Sequence, residues 1–337
     1  MASSSFSSVP PPPAAIGWAA LPRDVLWSLF TDLGQREVLS GAGLACAPWR
    51  HLVRDEPALW RRIDLTAAAG DTVPGCWKAM ALAAIDRSAS QCEAFWGRAD
   101  DEVLLYLADR AQGRGPSTNT CVIAIEEAAE GRHASQIFIC NAWPPARPSL
   151  LCGSGLQNCR AGPGRASYMK SLRITSSYDV SSKVFAELIK KFPLLEELQL
   201  VLKSDAYTTN SKEPHTNSWV ELFQSACQAC RNLHHFTVQL ADKDMSYDSY
   251  SYYGSKDRSA RRFSIPMMHG LHSLELFGGH LTMDVMMEIV DNCPSLESLH
   301  ISGMPYLYGR EEKELRDKCS KIKDLRLPDM DYDDYVS

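Results

Sequence analysis

Apolar side chains recur in the C-terminal half of this chain at a spacing that a helix followed by a strand satisfies and a single element does not. In VFAELIKKFPLLEELQL, counted from Val184, they stand at offsets 0, 4, 5, 8, 11, 14 and 16. VMMEIVDNCPSLESLHI, from Val285, repeats each offset, and Pro294 matches Pro193 at offset 9. LFQSACQACRNLHHFTV, from Leu222, fits throughout, and the segment from Glu311 fits from Leu315 onward. Offsets 0 to 8 follow one face of a helix, whereas 14 and 16 share one face of a strand. The spacing therefore predicts a helix, a turn and a short strand in every unit.

Strand anchors fall at Leu172, Leu198, Phe236, Leu274, Leu299 and Leu325, with gaps of 26, 38, 38, 25 and 26 residues. A period near 26 with this ending is similar to the leucine-rich repeat, whose stacked parallel strands line a concave face. The expected fold class is α/β, a short solenoid over residues 66–328. The two long gaps hold a repeat plus a loop, one around SDAYTTNSKEPHTN and one through the Tyr-rich MSYDSYSYYGSKDRSARR. Ser264, Pro266 and the preceding Arg pair spoil the helix of the Leu274 unit.

A fifth segment starts correctly at Val103, with Leu107, Ala108 and Ala111, and then breaks off. The pattern resumes at Ala166, Met169, Leu172 and Ile174. Excising residues 111–165 restores the register and sets an earlier strand candidate, Cys92–Ala94, one period before Leu172. Residues 111–165 are accordingly read as a flexible insertion, rich in Gly and Pro. It is either a functional loop or an in-frame extra segment without selected structure. Nothing in it continues the repeat, which favours the second account.

Alternation along each strand turns offsets 13, 15 and 17 away from the core and toward the concave face. Aromatic, Arg and polar residues there are the substrate-binding candidates: Arg173, Gln199, His235, Glu275, Phe277, His300 and Arg326. Cys227-x-x-Cys230 followed by His234-His235 invites a zinc reading. Both thiols, however, occupy core offsets 5 and 8, where small hydrophobes are expected, so no metal or cofactor is implied. No nucleophile motif is present, and a role other than catalysis is expected.

The formal net charge of -6 argues against nucleic acid as the main partner. No apolar run approaches the roughly 18 residues of a membrane span. Residues 1–15, MASSSFSSVPPPPAA, read as a disordered tail without the features of an export signal. The 11 cysteines then read as reduced thiols, which places the chain in nucleus and/or cytoplasm. Residues 329–337 read as a solvated acidic tail.

Between tail and repeats, LPRDVLWSLFTDLG sets Val25, Leu26, Leu29, Phe30 and Leu33 at helical spacing, with Pro22 and Asp24 at its start and Gly34 as its stop. Two further short helices are expected up to about residue 60. Residues 16–65 resemble an F-box through Leu21-Pro22, Asp24-Val25-Leu26, Phe30, Leu33, Glu37, Leu39, Cys46, Trp49-Arg50, Pro57 and Leu59-Trp60-Arg61. With the cysteine-containing repeats that follow, the chain resembles the plant F-box/leucine-rich-repeat proteins. The resemblance implies a non-catalytic substrate receptor of a Skp–cullin–F-box ubiquitin ligase. It would dock on a Skp-family adaptor, and through it on cullin and RING subunits, while the repeats hold a protein substrate. A scaffold that does not drive ubiquitination is the alternative. The adaptor contacts it implies are Leu21, Pro22, Val25, Leu26, Leu29, Phe30, Trp49 and Trp60.

Overall fold

The computed structural model describes residues 17–66, 76–113, 167–176, 180, 182–203, 218–241, 264–277, 283–302 and 310–327. The readings made for the insertion beyond residue 113, for the two long loops and for both tails lie outside these residues.

The chain begins with three helices, α1 (Arg23–Leu33), α2 (Gln35–Ser40) and α3 (Ala47–Asp55). Single 3-10 turns at Trp18–Ala20, Ala42–Leu44 and Pro57–Trp60 join them. Gly34 separates α1 from α2 at φ 80°, a left-handed conformation in which a side chain would be strained. Leu26, Phe30, Val38, Leu39, Leu52, Val53 and Trp60 close the core of this module. Inside it the Trp60 indole N–H donates to the Val53 carbonyl at 2.8 Å, so the one polar atom of this buried ring is satisfied.

Eight parallel strands follow, each hydrogen-bonded to the next in chain order. They are β1 (Arg62–Asp64), β2 (Ala94–Arg98), β3 (Ser171–Ser176), β4 (Glu197–Lys203), β5 (His235–Ala241), β6 (Ser273–Phe277), β7 (Ser298–Ser302) and β8 (Asp324–Arg326). The helices form a second layer: α4 (Cys76–Arg87), α5 (Asp101–Ala111), α6 (Ser182–Leu188), α7 (Ser218–Ala229), α8 (Met283–Asn292) and α9 (Arg310–Lys318). One helix lies beside the next, α4 on α5, α5 on α6 and α6 on α7. No helix stands before β6 among the described residues 264–272, as the breaker residues there predict.

The core is one continuous stack. Ile63, Phe95, Leu172, Leu198, Phe236, Leu274, Leu299 and Leu325 pair in register across all eight strands. All except the terminal Leu325 are buried. In the Leu222 unit every periodic position, Leu222, Ala226, Cys227, Cys230, Leu233, Phe236 and Val238, is buried.

Two sequence readings need correction. The second strand is Ala94–Arg98, not Cys92–Ala94. Ala89 and Ser90 take positive φ of 46° and 67°, turning the chain sharply out of α4, so that Cys92 fills the buried turn position and Phe95 becomes the anchor. Ala81, Ile85, Cys92 and Phe95 thereby form a further unit at offsets 0, 4, 11 and 14, ahead of the one that starts at Val103. The sheet also begins earlier than the repeats were expected to, because β1 lies within residues 16–65.

Just before each strand, one carbonyl accepts two N–H groups from the next unit. Glu93 and Ala94 donate to Arg61, Lys170 and Ser171 to Glu93, and Glu196 and Glu197 to Lys170. The series continues through His234 and His272 to Glu297, which accepts from Lys323 and Asp324 at 2.9 and 3.1 Å.

Because Phe236 is fully buried and Gln239, three residues on in the same strand, is exposed, their truncations should separate. Phe236→Ala is expected to cost about 3–5 kcal/mol, and Gln239→Ala no more than about 0.5 kcal/mol. Urea unfolding of both variants measures the difference.

Candidate partner-docking surfaces

Two surfaces emerge, one on the helical module and one on the sheet. On α1 the residues divide by face. Leu26 and Phe30 point inward, while Val25, Leu29 and Leu33, spaced four apart, remain 41%, 36% and 44% exposed. Trp18, at 73% exposed, adds a fourth apolar side chain to the module's surface. Its carbonyl accepts a hydrogen bond from the Trp49 indole N–H at 3.0 Å, and the Trp49 ring meets Phe30 edge-on at 5.5 Å.

Of the eight residues implied as adaptor contacts, Val25, Leu29 and Pro22 are exposed, and Leu21 and Trp49 are half-buried. Leu26, Phe30 and Trp60 lie 3%, 2% and 0% exposed. These three offer no surface in this conformation and hold the exposed face from beneath instead. Trp18 and Leu33 were absent from that set. Leu33 was legible in the same spacing as Val25 and Leu29, whereas Trp18 precedes the periodic run and carried no signal.

On the other side of the sheet, the register assembles most of the concave candidates into one row. Trp96, Arg173, Gln199, Thr237, Glu275, His300 and Arg326 are consecutive Cα partners from β2 to β8. His235 stands in the row before, beside Glu197 and Ser273, and Phe277 in the row after. The Phe277 ring meets His300 edge-on, with centroids 4.7 Å apart.

Arg173 is less available than its sequence position suggests. Its guanidinium lies 4.4 Å over the Trp96 ring and donates through Nε to Glu197 at 2.9 Å. The Trp96 indole N–H donates to Ser171 Oγ, which donates in turn to the second Glu197 oxygen at 2.6 Å. Partial burial works against the Glu197 charge, yet hydrogen bonds from Arg173 and Ser171 and the positive charge nearby hold its carboxyl below the usual carboxylate range. Neither Trp96 nor Glu197 is among the seven concave candidates, and a second strand placed at Cys92–Ala94 ends before Trp96.

The thiols behave as core atoms. Burial pushes Cys230 and Cys293 up to about 12 and Cys227 well above its ordinary value, and Cys230 donates to the Phe192 carbonyl at 3.4 Å. No group of three or more metal-binding side chains occurs among the described residues, and no described helix is long and apolar enough to cross a membrane.

The architecture is a three-helix module with an apolar outer flank, continuous with a solenoid of helix–strand units. Comparison with known proteins adds to this picture. Residues 18–66 match the F-box-like domain family. F-box/LRR-repeat protein 22 of Arabidopsis thaliana is 28% identical over 320 residues, covering 94% of this chain and 79% of that protein. F-box/LRR-repeat protein 23 of the same plant is 26% identical over 98% of this chain, which spans only 59% of that relative's length. F-box protein SKIP19 is 30% identical over 112 residues. The chain carries an F-box-like domain and is a homologue of the plant F-box/LRR-repeat proteins along nearly its whole length.

Two outcomes follow. The folded-state carboxyl of Glu197 sits below its unfolded value, so its contribution is present above that value, about 4.3, and is lost as pH falls through the folded one. The stability gap between the native chain and Glu197→Gln, measured by denaturant titration, should be open at pH 7 and close on acidification. Alkylation of Cys227, Cys230 and Cys293 at pH 8 should be negligible in the folded chain and complete in denaturant, followed by mass spectrometry of the peptides.

Proposed function

We propose that this chain is the substrate-recognition subunit of a Skp–cullin–F-box ubiquitin ligase, with the F-box docking on the adaptor and the repeats binding a protein substrate. F-box domains generally bind Skp-family adaptors, and F-box/LRR proteins are generally non-catalytic adaptor subunits. The observation that carries the reading here is the flank of Val25, Leu29 and Leu33, left open on a module whose core is already closed by Leu26, Phe30 and Trp60. A contiguous apolar flank is costly to leave in water and marks an interaction face. Completing the burial of such half-exposed side chains returns about 1 kcal/mol each.

Substrate binding is assigned to the row from Trp96 to Arg326 and to Phe277 in the row after it, with Phe277, His300 and Arg326 as the principal anchors. Ubiquitin transfer itself requires no reacting group from this chain. The adaptor would bring cullin and RING subunits, and the sheet would hold the substrate beside them.

The docking face is tested with purified chain and a plant Skp adaptor. Val25→Asp combined with Leu29→Asp should weaken binding by about a hundredfold or more while the melting temperature stays within a few degrees, because both side chains already meet solvent. Leu26→Ala should do the reverse, lowering stability by about 2–5 kcal/mol through a core cavity. Normal adaptor binding by the double Asp variant overturns the assignment. Reconstituted ubiquitin transfer to a captured partner separates a receptor from a scaffold.

A further inference from the structure

Among the described residues no strand pairs with the outer edge of β1, and a single side chain stands in that place. β1 turns the Arg61 carbonyl and the Leu65 N–H toward β2, where they bond to Glu93, Ala94 and Trp96. Alternation turns the intervening Arg62 carbonyl and Asp64 N–H to the opposite edge. Both are met by the amide of Gln35. Its Nε2 donates to the Arg62 carbonyl at 2.8 Å and to the Leu59 carbonyl at 3.2 Å. Its Oε1 accepts from the Asp64 N–H at 3.4 Å. One primary amide thus supplies the donor and the acceptor that a neighbouring strand would supply from its backbone.

The setting strengthens these bonds. Gln35 opens α2 directly after Gly34, whose φ of 80° directs the chain back from α1. The amide lines a pocket of about 250 Å³ with Trp27, Phe30, Val38, Leu59 and Trp60. Thr31, Arg61 and Arg62 complete the lining, and Gln35 is half-buried, so partial withdrawal from water adds to the cost of leaving its bonds unmade. An uncapped parallel edge would also offer Arg62 and Asp64 to a foreign strand, and the terminal repeat of a solenoid requires a cap.

We propose that Gln35 is a surrogate strand: it caps the sheet and locks the F-box to it, so that the α1 flank and the concave face hold one fixed orientation. The consequence for substrate presentation rests on the docking reading above. The locking itself does not, and it is tested on the full chain without an adaptor.

In the native chain the Asp64 amide should resist hydrogen exchange about as well as that of Leu65, which β2 holds at 2.7 Å. An unprotected Asp64 amide overturns the proposal without any variant. Gln35→Met keeps the length and most of the volume of the side chain and removes all three bonds. It should speed exchange at Asp64 and across Glu93 and Ala94 by about tenfold. Spin labels carried by unnatural amino acids at Ser28 on α1 and Gln239 on β5 should give a narrow distance distribution in the native chain and a broad one in Gln35→Met. Native exchange in the variant overturns the cap. Faster exchange with an unchanged distribution overturns the lock, since the bonds would then be local only.

Discussion

One carbonyl per repeat sets the register of the whole array. Placed just before each strand, it accepts two N–H groups from the following unit, from Arg61 at one end to Glu297 at the other. In a parallel sheet buried on one face, a slip by one residue would exchange the core set for the solvent set. The doubled acceptor blocks that slip at the point where each strand starts. Oppositely charged side chains lie over the same column, Arg61 with Glu93, Lys170 with Glu196, and Lys323 with Glu297. Exposed pairs of this kind contribute at most about 1 kcal/mol each, so the backbone bonds hold the register and the charges only favour it.

Register, in turn, decides what the concave face can present. Seven consecutive strands contribute one residue each to the row from Trp96 to Arg326, and its two ends differ. Around β2 to β4 the indole, Ser171, Glu197 and Arg173 satisfy one another in a closed ring of bonds. A carboxylate or phosphate arriving there would have to displace Glu197 from the guanidinium. Around β6 to β8 the row offers His300, met edge-on by Phe277 of the next row, and the exposed Arg326. Arg326 pairs with Asp324 of its own strand at 3.1 Å, an exposed pair that a partner can displace at little cost, so this end supplies the better anchors.

The repeat was legible because burial acts on it position by position. Each periodic offset in the Leu222 and Val285 units corresponds to a side chain withdrawn from water, apart from the half-buried Val290. The α4–β2 unit was not, for a local reason: Ala89 and Ser90 spend two residues on a left-handed turn that propensity does not predict, and Ala81 is too small to announce a core position. Helix α1 was half legible. A five-residue apolar set on a helix marks a broad stripe, but spacing alone does not say where the protein's own core ends. Leu26 and Phe30 fall inside that boundary, Val25 and Leu29 outside it, and only packing against Trp60 and Trp49 draws the line. Gln35 was invisible, because a lone Gln after a Gly has no pattern until β1 is known to be a sheet edge.

That boundary also bears on how the module can expose an apolar flank. Three short helices make a small core that is marginal alone, yet this one is continued into the sheet. Trp60 is buried between the helices and α4, with the Arg87 guanidinium 5.4 Å above its ring. Burial pushes that guanidinium down to about 10, so it stays charged at neutral pH and can interact with the indole face. Its neighbours Ala81, Ala84 and Ile85 belong at once to the first full repeat and to the floor of the module. The core of the module is thus continuous with that of the repeats. The outer residues of α1 are then released from any duty to the fold, and their exposure is a property of the surface.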